Sequence, residues 1–133
     1  MDLSNLDVVK AANAGTVMKV RHPTTGDILT DGKKADKEFF LRLLGSDSDV
    51  YRNAIKRRFE KRRGKNQNKV DLDEAQRDAA ALLARCTTEC YLIENGEPVE
   101  CSVQALSALY LKYPWLKEQA EEHMGDRANL LES

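Results

Sequence analysis

Residues 102–131 read SVQALSALYLKYPWLKEQAEEHMGDRANLL, and this stretch decides how the chain is organised. Ser102 is a good N-cap, because its hydroxyl can accept from a free N–H of the first helical turn. Val103, Leu106, Leu109, Tyr110 and Tyr113 then recur at helical spacing and form one apolar face. Pro114 has no N–H to give Tyr110 and disfavours a helical Tyr113, so the first helix stops or kinks there. Proline suits the first position of a new helix. The second helix carries Leu116, Ala120, His123 and Met124 on one side and Lys117, Glu118, Glu121 and Glu122 on the other. Two such helices cannot bury both stripes against each other, so the rest of the chain must supply a packing surface. Trp115, beside the break, is expected to be largely buried and to fix the last helix against a helix predicted over residues 71–91.

Working outward, Glu94-Asn95-Gly96-Glu97-Pro98 reads as a turn ahead of this pair. Upstream, Asp71 with Glu74 opens the 71–91 helix, whose apolar line is Ala75, Ala79, Leu82, Leu83, Cys86 and Cys90. Residues 64–70, polar and without periodicity, are expected as a mobile linker. Ser46 with Asp49 three residues on has capping-box form and begins a further helix. Its stripe is Val50, Tyr51, Ala54, Ile55 and Phe59, with Arg52, Lys56, Arg57, Lys61, Arg62 and Arg63 around the other sides. Tyr51 and Phe59 are both expected in the core.

The first 45 residues have a different rhythm. Leu3, Leu6, Val9 and Ala12 suggest a short helix stopped by Gly15. Residues 16–21 alternate and read as a strand, with Thr16, Met18 and Val20 on one side. Pro23-Thr24-Thr25-Gly26-Asp27 is turn chemistry, and Ile28-Leu29-Thr30 is a return strand. After a second turn, residues 38–44 suit a third strand with Phe39, Leu41 and Leu43 inward. The fold class is therefore α+β: a small N-terminal antiparallel sheet of about three strands, packed with four to five helices. One domain spans residues 1–133, β-rich over 1–45 and helical over 46–133.

Composition narrows the function classes. At 41% hydrophobic and 32% charged residues, no apolar run approaches the roughly 18 residues of a membrane span. The N-terminus lacks the basic flank and apolar core of a signal peptide. Three cysteines make no disulfide scaffold, so a reducing cytosol fits. The net charge of −1 conceals an asymmetry. Residues 1–48 balance seven basic against seven acidic side chains, residues 49–69 hold nine against two, and residues 70–133 hold five against thirteen. Such a charge dipole suits partners of either sign, or another copy of the chain.

Catalytic and metal readings find little support. Cys86, Cys90, Cys101 and His123 supply four zinc-type ligands in number, but only one pair is closely spaced, and cysteine is commonly a core residue. His22 and His123 stand apart from any serine or cysteine nucleophile in a turn. Asp71, Asp73 and Glu74 are explained by the helix start they occupy. No phosphate-binding glycine loop, metalloprotease helix or EF-hand loop occurs. Neither an enzyme nor a cofactor or metal protein is expected. The basic helix is first a solvated face, then a contact for an acidic protein surface, and nucleic acid is the weaker reading.

Several of these residues also carry a resemblance. The N-capped helix, Tyr113-Pro114-Trp115-Leu116, Gln119 a turn later and Asp126-Arg127-Ala128-Asn129-Leu130 resemble the C-terminal signature of the tail assembly chaperones of long-tailed bacteriophages. Arg21-His22-Pro23 to Gly26-Asp27, Gly45-Ser46-Asp47-Ser48, Tyr51-Arg52 and Asn95-Gly96-Glu97-Pro98 resemble earlier parts of the same family, so the likeness runs in patches from about Val20 onward. Tyr91 stands where tryptophan is common, and Leu130 where phenylalanine often follows the asparagine.

The resemblance implies a binding protein of the host cytoplasm that engages the tape-measure protein, helps recruit tail-tube subunits and is absent from the mature virion. It also implies a longer form made by a programmed −1 frameshift, for which Ala128-Asn129-Leu130 can encode a slippery heptamer. Candidate partner-binding residues are Arg52, Lys56, Arg57, Lys61, Arg62, Tyr110, Trp115 and Gln119. The alternatives are a small nucleic-acid-binding or regulatory protein using residues 52–69, and a structural tail or head-completion subunit.

Overall fold

A computed structural model describes residues 2–63 and 72–126. The order is a 3-10 turn (Leu3–Leu6), α1 (Val8–Ala14), β1 (Thr16–Lys19), β2 (Phe40–Leu43), α2 (Asp49–Arg63), α3 (Leu72–Arg85), β3 (Thr87–Tyr91), the short pair β4 (Ile93–Glu94) and β5 (Glu97–Pro98), α4 (Val103–Lys112) and α5 (Pro114–Gly125). The fold is α+β, with β1, β2 and β3 in one antiparallel sheet in that order. Residues 64–70, expected as a linker, and Asp71, expected as a helix start, lie outside the described residues. So do residues 127–131 of the terminal signature.

The third strand of the sheet is not the predicted one. Residues 28–30 return antiparallel as expected, with bridges from Arg21 to Ile28 and from Thr30 to Glu38 and backbone bonds joining Leu29 to Val20 and Phe39, but they form no continuous strand. The third strand is β3, which the sequence assigns to a helix running on to Tyr91. α3 ends at Arg85, the Cys86 N–H still reaching the Leu82 and Leu83 carbonyls. Thr87, Thr88 and Tyr91 favour extended backbone, and β2 offers them an unpaired edge. Leu41 lies opposite Cys90 and Phe40 opposite Tyr91, with an irregularity in register between Arg42 and Leu43. The i, i+4 spacing of Cys86 and Cys90 is therefore no helix face.

Alternation gives the sheet one buried side. Thr16, Met18, Val20, Leu41 and Leu43 are all buried, as predicted for the first strand and for residues 38–44. α3, α4 and α5 close over this side with Leu83, Ala84, Leu106, Leu109, Leu116, Ala120 and Met124. Gly15 sits at the joint between α1 and β1 with φ +78°. A Cβ there would lie 3.1 Å from the Leu43 carbonyl oxygen, so both conformation and space require glycine.

The C-terminal pair forms as the sequence dictates. Ser102 Oγ accepts from the Ala105 N–H at 3.1 Å. α4 ends at Lys112, and Pro114 occupies the first turn of α5, with Tyr113 as the shared junction. Asn95 and Gly96, both at positive φ, make the turn between β4 and β5.

Two N-terminal details differ from expectation. Asp2 and Asp7 each cap a separate short element by accepting from the N–H of Ser4 and Lys10, so no continuous helix forms and Leu3 and Leu6 stay exposed. At α2 the capping residue is Ser48, not Ser46. Ser48 Oγ accepts from the Tyr51 N–H, while Asn13 Oδ1 takes the Asp49 N–H at 2.8 Å. The tertiary bond from α1 fixes where α2 begins.

Candidate functional site: the open face of α2

α2 is attached to the body at few points. Its N-terminus is held by Ser48 and Asn13, Tyr51 packs against the core, and Arg58 Nε lies 3.8 Å from Asp78 Oδ2 on α3. Three other apolar residues of its stripe are only partly covered: Val50 is 42% exposed, Ile55 38% and Phe59 66%. Phe59 is thus a surface residue, contrary to expectation. α3 lines the space beside Tyr51 and Ile55 with Ala79, Leu82 and Leu83, and Phe59 lies outside that lining. A cleft of about 240 Å³ remains, open to solvent and lined by Tyr51, Ile55, Arg58, Leu82, Glu121 and Met124.

Arg52, Ile55, Lys56 and Phe59 fall at i, i+3, i+4 and i+7, so they share one side of α2. Arg52, Lys56 and Arg57 are exposed. Lys61 and Arg62 belong to the last turn of α2 by backbone, and their side chains lie outside the described part. The arrangement is two apolar side chains with cations on the same side of α2, beside a cleft of mixed polarity. Chemically, it can hold an apolar strip flanked by anions.

The remaining candidates lie elsewhere and serve the scaffold. Tyr110 is fully buried. Thr87 has one hydroxyl proton and gives it to the Leu83 carbonyl at 2.8 Å. The Tyr110 hydroxyl is therefore the donor in its 2.8 Å bond to Thr87 Oγ1. Burial holds the Tyr110 phenol well above the usual range, so it stays protonated. Gln119 donates to the Arg21 carbonyl at 2.8 Å and accepts the Arg21 N–H at 3.0 Å, the two bonds a neighbouring strand would make. Trp115 is half-buried. It meets Tyr113 edge-on, with ring centroids 6.2 Å apart, and lines a second cleft with Val20, Leu29, Phe39 and Leu92. Its neighbours are thus the sheet and the β4 region rather than α3, as a residue on the outer side of the first turn of α5 requires.

The cysteines and histidines have local roles. Burial pushes the Cys86 thiol up to about 11, and burial with the adjacent Cys101 sulfur pushes Cys90 up to about 12. Such thiols are protonated at neutral pH and are poor nucleophiles and ligands. His22 Nδ1 accepts from the N–H groups of Thr24 and Thr25 and closes a turn. His123 shares a 2.6 Å hydrogen bond with Thr16 Oγ1, and its pKa is lowered by burial, partly opposed by Asp126. Among the described residues no group of three His, Cys, Asp or Glu side chains is placed to hold a metal ion. No described helix is long and apolar enough to cross a membrane. No family model, curated protein or solved structure matches the chain.

Proposed function

We propose that this protein is a tail assembly chaperone of a long-tailed bacteriophage, which holds the tape-measure protein in the host cytoplasm while tail-tube subunits are brought to it. The observation that carries this reading is the open α2 face, where Ile55 and Phe59 stand exposed with Arg52 and Lys56 on the same side of the helix. A chaperone for a long helical client needs apolar contacts that form and release, with charges to limit the choice of partner. Exposed apolar residues at helical spacing, ringed by cations, have that character. The small body behind them supplies a rigid support.

Co-expression with the tape-measure protein tests the reading. The client is expected to become soluble and to co-purify with this chain, and purified virions are expected to lack it. A client that stays insoluble, or this chain as a stoichiometric virion component, would overturn the proposal. One observation favours nucleic acid as a second reading: Phe59 beside Arg52 and Lys56 has the make-up of a base-stacking site. On the chaperone reading, DNA and RNA bind only non-specifically, with a Kd of roughly 10⁻⁴–10⁻⁶ M that weakens with salt.

A further inference from the structure

The geometry points to a modification site at Cys90 and Cys101: the two thiols are placed to close into a reversible disulfide when the chain meets a peroxide. This site does not depend on the chaperone reading.

Strand register turns Cys90 toward its partner. Thr87 and Cys90 are three positions apart on β3 and would face opposite ways in a regular strand. The irregularity opposite Arg42 and Leu43 changes this, pairing Thr87 with Leu43 and Cys90 with Leu41. Directly opposed residues share a face, and Leu41 and Leu43 are both buried. Thr87 and Cys90 therefore both point to the side that α4 covers.

Helix placement supplies Cys101. Tyr110 of α4 reaches Thr87, at the first residue of β3, with a 2.8 Å hydrogen bond. Cys90 lies about 10 Å further along the strand. Cys101 lies nine positions before Tyr110, about 13 Å along the helix, and helical side chains lean toward the N-terminus. The two spans match when α4 runs back along β3. The Cys90 and Cys101 thiols are in hydrogen-bonding contact, so it does run that way.

The thiols differ in access, which orders the chemistry. Cys101 is exposed ahead of the Ser102 cap, Cys90 is half-buried, and Cys86 is fully buried. Cys101 meets the oxidant first. Its thiolate attacks one peroxide oxygen, forming an S–O bond as the O–O bond breaks, and the hydroxide released takes up a proton as water. The Cys90 sulfur then attacks the Cys101 sulfur. The S–S bond forms, the S–O bond breaks, and the hydroxyl leaves with the Cys90 proton as a second water. The two sulfurs together lose the two electrons that reduce the peroxide. A thiol reductant reverses the bond, so in a reducing cytosol the pair stays open.

Closure has a local consequence. Residues 90–101 become one ring carrying β4 and β5. Leu92, Ile93, Glu94 and Val99 of that ring wall one side of the cleft beside Trp115. Oxidation ties this wall to the start of α4.

The test treats the purified chain with hydrogen peroxide and measures its intact mass. A loss of about 2 Da, restored by dithiothreitol and without dimer on a non-reducing gel, is expected. A Glu-specific protease separates the three cysteines, because Glu89, Glu94 and Glu100 lie between or beside them. The fragment that begins at Cys90 is expected to be joined to the one that begins at Cys101. Cys101→Ser, at an exposed position, is expected to keep the Tm of the reduced chain and to abolish the mass loss. The oxidised chain is expected to melt about 5 °C higher, since the ring limits the freedom of the unfolded chain. Added oxygen without the mass loss, a dimer linked through Cys101, or a fragment joining Cys86 to Cys90 would overturn the assignment. A lower Tm after closure would do the same, because the bond would then form only by distorting the fold.

Discussion

The body formed by the sheet with α3, α4 and α5 differs from α2 in how each uses its apolar residues. In the body, Leu41, Leu43, Leu106 and Tyr110 are at most 1% exposed, and buried polar groups such as Thr87 and the Tyr110 hydroxyl are paired. In α2, Tyr51 turns inward while Ile55 and Phe59 face water. Burying an apolar side chain contributes roughly 1.5–3 kcal/mol to stability, a gain that Phe59 largely forgoes. The body carries the stability of the fold. α2 leaves apolar surface open to solvent.

The sharpest test of this division is Tyr110→Ala, which empties a large buried site and is expected to cost about 3–5 kcal/mol in denaturant unfolding. Tyr110→Phe isolates the hydroxyl and should cost about 1 kcal/mol. If both cost less than 1 kcal/mol, the body is not where the stability resides.

Gly15→Ala comes next, because it combines a positive φ with a Cβ 3.1 Å from the Leu43 carbonyl oxygen. A loss of about 1–3 kcal/mol is expected. A neutral result would mean that the α1–β1 joint is free to shift.

His123 gives a smaller, pH-dependent effect. Its pKa is lowered in the folded state by burial, so the unfolded chain binds the proton more readily as pH falls below about 6.5. The His123 contribution to stability is therefore complete above that pH and declines as pH drops toward the depressed folded value. His123→Gln should flatten this part of the stability profile. An unchanged slope would assign it to other groups.

Phe59→Ser is expected to have the smallest effect on stability, within about 0.5 kcal/mol, while removing client binding. A large destabilisation would place Phe59 in the working core and erase the contrast between α2 and the body.

What could be read from the sequence follows how local each cause is. Ser102 and Pro114 act on their own turns, so the α4–α5 break was legible, as were the strand at Thr16 and the inward Leu41 and Leu43. β3 was not, because Cys86 and Cys90 continue the spacing of α3 and only the edge of β2 makes that segment extended. Ser48 displaces Ser46 as the cap through a contact with Asn13, 36 residues away from Asp49. The cations of the candidate site were visible as a charge run. The exposure of Ile55 and Phe59 was not, since it depends on how closely another element packs on the stripe, which the α2 sequence does not specify. Tyr110 and Gln119, named among the candidate contact residues, are bonded to Thr87 and Arg21.

The Gln119–Arg21 and Thr16–His123 bonds join residues 98 and 107 positions apart. The edge of the first strand is thus completed by the last described helix, and synthesis at about 5–20 residues per second puts roughly 5–20 s between them. During that interval the β1 segment can be made but its edge cannot be closed, and contacts of such long range are also slow to find once available. The fold therefore closes only after α5 has been made. A protein proposed to shelter another unfinished chain passes through an unsheltered stage of its own on the ribosome.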